Sequence, residues 1–149
     1  IMIRILTTVL LLANSFLAVC QVYSVEGGVQ YDDIHPRILY VFDGLKLRRP
    51  SDIVFLKLDK ESLLKSDTLS SQEAISKYKS LGKYGAILLF SDYPVILNNE
   101  ILISEQDKTS RLNSISSDEI LVLEHINKRK LFKSYGIKND NGGLIVMTE

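Results

Sequence analysis

The sequence predicts an α+β fold: small mixed sheets with short helices, arranged as two diverged β-β-β-α-β repeats. Three observations carry this. Residues 74–91 lie without a gap on residues 131–148, at a constant offset of about 57 residues. Both stretches read as a short amphipathic helix, a glycine-containing turn, then four consecutive apolar residues followed by Ser or Thr. Upstream of each stands an apolar strand–turn–strand pattern, centred on Asp43-Gly44 in the first copy and Asn98-Asn99 in the second. A single copy is too small to bury a full core. The copies are therefore expected to pack together, by sharing one sheet or by stacking their apolar helix faces.

The N-terminus reads as a targeting segment. Arg4 is followed by residues 5–19, an uncharged apolar run that ends at Cys20-Gln21. The run is short of the roughly 20 residues that a membrane-spanning helix needs. Two processing readings compete for residues 1–20. Small residues at Ala18 and Cys20 fit signal cleavage that exposes Gln21, whereas Leu17-Ala18-Val19-Cys20 resembles a lipobox with Cys20 acylated. Val19 is bulky for the second, which favours simple export. Residues 21–36 follow as an extended leader with Gly27-Gly28, and a short edge strand is expected there at most.

The first repeat is assigned to residues 37–92. Ile38–Phe42 is rich in branched and aromatic residues and predicts a strand. Asp43-Gly44 tolerates the positive φ of a type I′ turn, and Leu45-Lys46-Leu47 returns. After Arg48-Arg49-Pro50, residues 52–58 read as a further strand. Residues 59–71 are ambiguous, with helical spacing in KESLLKS. Ser70 and Glu73 have capping-box spacing, and Ala74, Ile75, Tyr78 and Leu81 form one apolar stripe over 73–81. Gly82 and Gly85 punctuate, and Ala86–Phe90, apolar on both sides, predicts a central strand.

The second repeat is assigned to residues 93–149. Tyr93–Leu97 and Glu100–Ile103 repeat the hairpin around Asn98-Asn99. Residues 104–113 read as a polar loop. Ile120–Leu123 predicts a strand equivalent to about Val54–Lys57, and extra residues are assigned to the first copy. Residues 127–135 predict a helix with Leu131, Phe132 and Tyr135 on one face and Lys128, Lys130 and Lys133 directed away. Gly136 ends it, and Gly142 and Gly143 turn the chain into Leu144–Met147.

Charge and composition restrict function. The chain has 18 basic and 18 acidic residues, a balance that argues against nucleic acid as a partner. Its one cysteine, Cys20, lies in the targeting segment, so the folded part depends on its apolar core without disulfides. The basic run Lys128-Arg129-Lys130 with Lys133 reads as a solvated helix face, or as a surface for an acidic partner or anionic membrane.

Residues 93–149 resemble the later part of the plug domain of TonB-dependent outer-membrane receptors, especially of the Bacteroidetes type. The matching elements are an extended strand and turn at Pro94–Glu100, an Asp-Glu/Ile-rich strand within Leu112–Leu123 and a helix ending in Tyr-Gly at Lys130–Gly136. They continue with Asn141-Gly142 and an aliphatic strand with threonine at Leu144–Thr148. Residues 38–92 are a weaker copy, with Lys79 where the second has Gly136. The resemblance implies a free-standing, internally duplicated plug-like module without the receptor barrel, so transport is not carried over. It implies non-enzymatic binding at the bacterial cell envelope, in the periplasm or at the outer membrane. The partner implied is an envelope protein such as an outer-membrane receptor. Membrane association would come only through a lipid anchor or an uncleaved signal.

Catalytic patterns are weak. His35 lies near Asp32 and Asp33, a cheap spacing for a metal site, and His125 is expected at the surface of a strand end. The glycines at 82–85 and 141–143 follow a helix and precede a strand, the reverse of a phosphate loop. No catalytic residue, metal ligand or cofactor is assigned. The competing class is a periplasmic hydrolase or metal-dependent enzyme of unrecognised type. Candidate binding residues are the hairpin positions and their neighbours: Asp43, Gly44, Arg48, Arg49, Asn98 and Asn99. Tyr78 and Tyr135 occupy equivalent positions and read as semi-buried packing residues.

Overall fold

The computed structural model describes residues 35–47, 49–58 and 61–149. Cys20, the leader up to Ile34 and Arg48 lie outside the described residues, as do Asp32 and Asp33 of the suggested His35 cluster. Among the described residues, eight strands form two four-stranded mixed sheets. In the first, β1 (Leu39–Phe42) and β2 (Leu45–Lys46) make a hairpin, β4 (Ala86–Ser91) runs parallel to β1, and β3 (Leu63–Leu69) lies antiparallel on the outer edge of β4. The second sheet repeats this order with β5 (Val95–Leu97), β6 (Glu100–Leu102), β8 (Gly143–Thr148) and β7 (Ile120–Ile126).

The duplication holds to the level of register. Thr68 pairs with Ile87 and, 57 residues on, His125 pairs with Leu144; Leu69 with Ala86 becomes Ile126 with Gly143. Even the irregularity in the outer strand recurs, between Leu63 and Lys65 and again between Ile120 and Val122. Helices α1 (Ser71–Tyr78) and α3 (Lys128–Tyr135) are also 57 apart, each capped by the side chain before it, Ser70 or Asn127. The hairpins are offset by 55 instead: Val41 faces Leu88 and Ile96 faces Ile145. The two extra residues therefore belong to the second copy, between β6 and β7, and not to the first.

Both turns have positive φ at both central residues, 49° and 98° at Asp43-Gly44 and 48° and 71° at Asn98-Asn99. Gly85 and Gly142 likewise occupy one structural position, with φ of 95° and 92°. A Cβ there would lie 2.9 Å from Leu69 O or 2.2 Å from Ile126 O, so each glycine lets the chain pass close under the outer strand.

Neither expected packing mode is adopted. The two sheets face each other, and the helices cover their outer sides. Tyr40, Phe42, Ile87 and Leu89 of the first sheet and Val95, Leu97, Leu144 and Val146 of the second belong to one core. The alternate residues point outward. Leu39, Val41, Ala86 and Leu88 pack on Ala74 and Tyr78 of α1, and Ile96 and Ile126 pack on Leu131 of α3. Strands β4 and β8 are apolar on both sides because both their faces are covered.

Several element assignments change. Pro50–Leu56, expected mostly as a strand, is a 3-10 helix. Pro50 suits a helix start, Asp52 Oδ2 accepts from Arg49 N at 3.0 Å, and buried Ile53 and Leu56 are one three-residue turn apart. The third strand of the first repeat is instead Leu63–Leu69, within the ambiguous segment, so β7 corresponds to it and not to Val54–Lys57. The expected loop 104–113 contains α2 (Glu105–Asn113), whose N-cap Ser104 Oγ accepts from Asp107 N at 3.0 Å. In the apolar stripe of α1 only Ala74 and Tyr78 are buried; Ile75 is 46% exposed and Leu81, beyond the helix, 52%. In α3, Phe132 is not on the packed face with Leu131 but is 53% exposed.

Candidate functional site

The connector of each repeat crosses to the other. The 3-10 helix of the first repeat lies against β7, and α2 of the second lies against β2. The second crossing contains the most enclosed charges among the described residues. Lys108 of α2 is 1% exposed, with its Nζ 3.0 Å from Asp43 Oδ2, 2.6 Å from Ser91 O and 3.1 Å from Tyr93 O. Asp43, fully buried, also accepts from Ser91 N at 2.9 Å and Ser91 Oγ at 2.7 Å. Burial pushes the Asp43 carboxyl above its usual range, against the opposing pull of Lys108 and of the Ser91 hydrogen bonds. All three Lys108 donors are satisfied, so the side chain acts as a structural clamp.

The second repeat contains the neutral version of this joint. Asn98 Oδ1 accepts from Thr148 N at 3.0 Å, and Asn98 Nδ2 donates to Thr148 Oγ1 at 2.9 Å. Of the residues expected to bind, Asp43 and Gly44 are thus packing residues; a Cβ on Gly44 would meet Thr109 O at 2.8 Å. Asn98 ties its turn to β8, and Asn99 is exposed. Arg49 is paired with Asp52 at 3.1 Å beside a recess of about 350 Å³ that reaches Ile120 and Leu121.

His125 is half-buried, in contrast to the expected surface position. Its Nε2 lies 2.9 Å from Asn141 O, and its ring stands 5.1 Å from that of Tyr93. Glu124 points the other way and pairs with Lys130 at 2.9 Å. His35 is exposed, and its Nδ1 accepts from Arg37 N at 3.3 Å. Among the described residues no group of three or more His, Cys, Asp or Glu side chains could hold a metal ion.

The feature that does gather chemistry is on the outer side of α3. Leu131 is fully buried against the second sheet and Asn127 Oδ1 accepts from Lys130 N at 2.9 Å, fixing the rotation and start of the helix. Gly136 ends it with φ of 70°, its N–H donating to Phe132 O at 2.9 Å. The chain then returns past the helix start. Asn139 Nδ2 donates to Asp92 O at 3.1 Å and Asn141 Nδ2 to Asp92 Oδ2 at 2.9 Å, which holds the loop to the linker between repeats. Between helix and loop lies an open groove of about 530 Å³, lined by Lys128, Arg129, Phe132, Lys138, Asn139 and Asp140. Lys138 Nζ stands 5.8 Å from the Phe132 ring centre, and Lys128 Nζ is 3.5 Å from Asp140 Oδ1. Arg129 makes no ion pair among the described residues.

The basic run marks Lys128, Arg129 and Lys133 in the sequence, whereas the exposure of Phe132 and the position of Lys138 beside it follow from the fold. No family model, curated protein or solved structure matches this chain.

Proposed function

We propose that the protein is a non-enzymatic, plug-like binding module of the bacterial cell envelope, exported to the periplasm, which docks a protein partner on its second repeat. The observation that carries this is the unequal chemistry of two helices in the same structural position. At the positions where α1 has Ser71, Gln72, Ile75 and Ser76, α3 has Lys128, Arg129, Phe132 and Lys133. The inward residues serve the same purpose in both, Ala74 and Tyr78 in one and Leu131 and Tyr135 in the other. Packing alone does not call for three cations beside an exposed aromatic ring, so the difference is attributed to binding.

The resemblance of residues 93–149 to a receptor plug supports the envelope setting and favours an outer-membrane receptor as partner class. The apolar run at residues 5–19 supports export. Photo-crosslinking in living cells tests the proposal, with the reactive residue placed at Phe132, Lys138, Ile75 or Lys83 in turn. A discrete adduct from an envelope protein at Phe132 and Lys138 is expected. The absence of adducts at all four positions would overturn it.

A further inference from the structure

We infer that the groove beside α3 takes an acidic, extended protein segment, in which carboxylates alternate with apolar side chains. This rests on the binding function proposed above and specifies the partner's chemistry.

Residues 128–138 carry five basic and no acidic residues, in a chain whose total charge is balanced at 18 against 18. The positive charge is therefore concentrated on α3 and the loop that follows it. Two of the cations are partly neutralised, Lys130 by Glu124 and Lys128 by Asp140. Asp140 is 96% exposed in that pair, so its hold on Lys128 is weak and readily exchanged for another carboxylate. Arg129, Lys133 and Lys138 make no ion pair among the described residues. Arg129 offers the planar fork that binds a carboxylate with two hydrogen bonds.

The shape favours a peptide over a membrane surface. The cations come from both the helix and the anchored loop and line a concave groove, with Phe132 as its apolar wall. Binding flat on a lipid surface draws on a stripe of apolar residues along a helix. Here α3 has eight residues, and Leu131 is committed to the core. A segment whose carboxylates meet Arg129 and Lys138 can place an apolar side chain on the Phe132 ring between them.

Fluorescence anisotropy tests this with a labelled peptide of alternating Glu and Leu, a Lys-Leu counterpart, inorganic phosphate as competitor, and vesicles containing phosphatidylglycerol. Saturable, salt-sensitive binding of the Glu-Leu peptide is expected. Arg129→Glu and Lys138→Glu should each weaken it by about tenfold or more, the loss of one charge-assisted contact. Phe132→Ser should weaken it without changing the salt dependence. Lys77→Glu and Lys83→Glu, with the same charge change in the first repeat, should leave it unaltered. Equal loss in those controls, equal binding of the Lys-Leu peptide, full displacement by phosphate, tighter binding to vesicles, or no binding would overturn the inference. Adducts in the crosslinking experiment would separate this failure from that of the binding function. If adducts form at Ile75 or Lys83 but not at Phe132 or Lys138, the module binds through its first repeat, and both the groove assignment and docking on the second repeat fall. Adducts at Phe132 and Lys138 without Glu-Leu peptide binding would leave the docking function standing and overturn only the segment's chemistry.

Discussion

Lys108 and Asp43, 65 residues apart in sequence, are in contact at 3.0 Å with almost no exposure to solvent. They join the α2 connector of the second repeat to the hairpin turn of the first. In the second repeat the equivalent turn residue is Asn98, which makes its strand-end contact without a cation. The turn-to-strand contact therefore exists in a buried, charged form and in an exposed, neutral form within one molecule.

Breaking only one side of the charged joint should be costly. Lys108→Met leaves a buried carboxylate, and Asp43→Asn leaves a buried ammonium; each is expected to lower unfolding free energy by about 3–5 kcal/mol. The double variant copies the asparagine of the second repeat and removes the cation with it. It should be more stable than either single variant, because no unpaired charge stays buried, yet less stable than the parent, because Ser91 O and Tyr93 O lose the Lys108 donor. Urea unfolding of the four proteins gives the coupling directly.

Two neighbours on α3 should differ sharply. Leu131→Ala opens a cavity under the second sheet and should cost about 2–5 kcal/mol. Phe132→Ser removes an exposed ring and should change stability by no more than about 0.5 kcal/mol. A comparable loss at Phe132 in thermal unfolding would show that its ring supports the fold.

The turn glycines should rank by their surroundings. Gly142→Ala places a Cβ 2.2 Å from Ile126 O at positive φ, whereas at Gly136 no atom lies within 4 Å of the added carbon. Gly136→Ala should cost about 1 kcal/mol, the ordinary penalty for left-handed backbone, and Gly142→Ala clearly more. Denaturant midpoints at constant m-value would establish the order.

The capping box of α1 should be visible in acid. Hydrogen bonds from the Ser70 hydroxyl and backbone hold the Glu73 carboxyl below its usual 4.5. A carboxyl depressed in the folded state contributes stability that is present above pH 4.5 and is lost as pH falls through the folded value. Ser70→Ala should lower stability at neutral pH and reduce the slope of stability against pH below 4.5. An unchanged acid slope in the variant would count against this linkage.

Local signals carried a good part of the fold. Asp43-Gly44 and Asn98-Asn99 marked the hairpins, Ser70 with Glu73 marked a helix start, and unbroken apolar runs marked the two doubly covered strands. The misread segments are those whose structure depends on the opposite repeat. α2 reads as a loop because one of its two buried residues is Lys108, whose place in the interior depends on Asp43 and Ser91 of the other repeat together with Tyr93 O. Residues 52–58 could pass for a strand because buried positions three apart also suit a 3-10 turn. At the groove, the cations were legible as a run. The exposure of Phe132 and the return of Lys138 beside it depended on how α3 lies on its sheet and on the tethering of Asn139 and Asn141 to Asp92.

The face-to-face packing of the sheets makes the chain, in assembly terms, a dimer whose two subunits share one polypeptide. Each repeat presents its inner surface to the other and lends it a connector helix, so neither half encloses a core alone. If the chain were divided at Asp92, the pieces should fold only by meeting. Their stability would then rise with concentration, as it does for an obligate dimer. The covalent join replaces that encounter and also frees the two outer helices to diverge, since one surface can acquire a ligand while its twin stays plain.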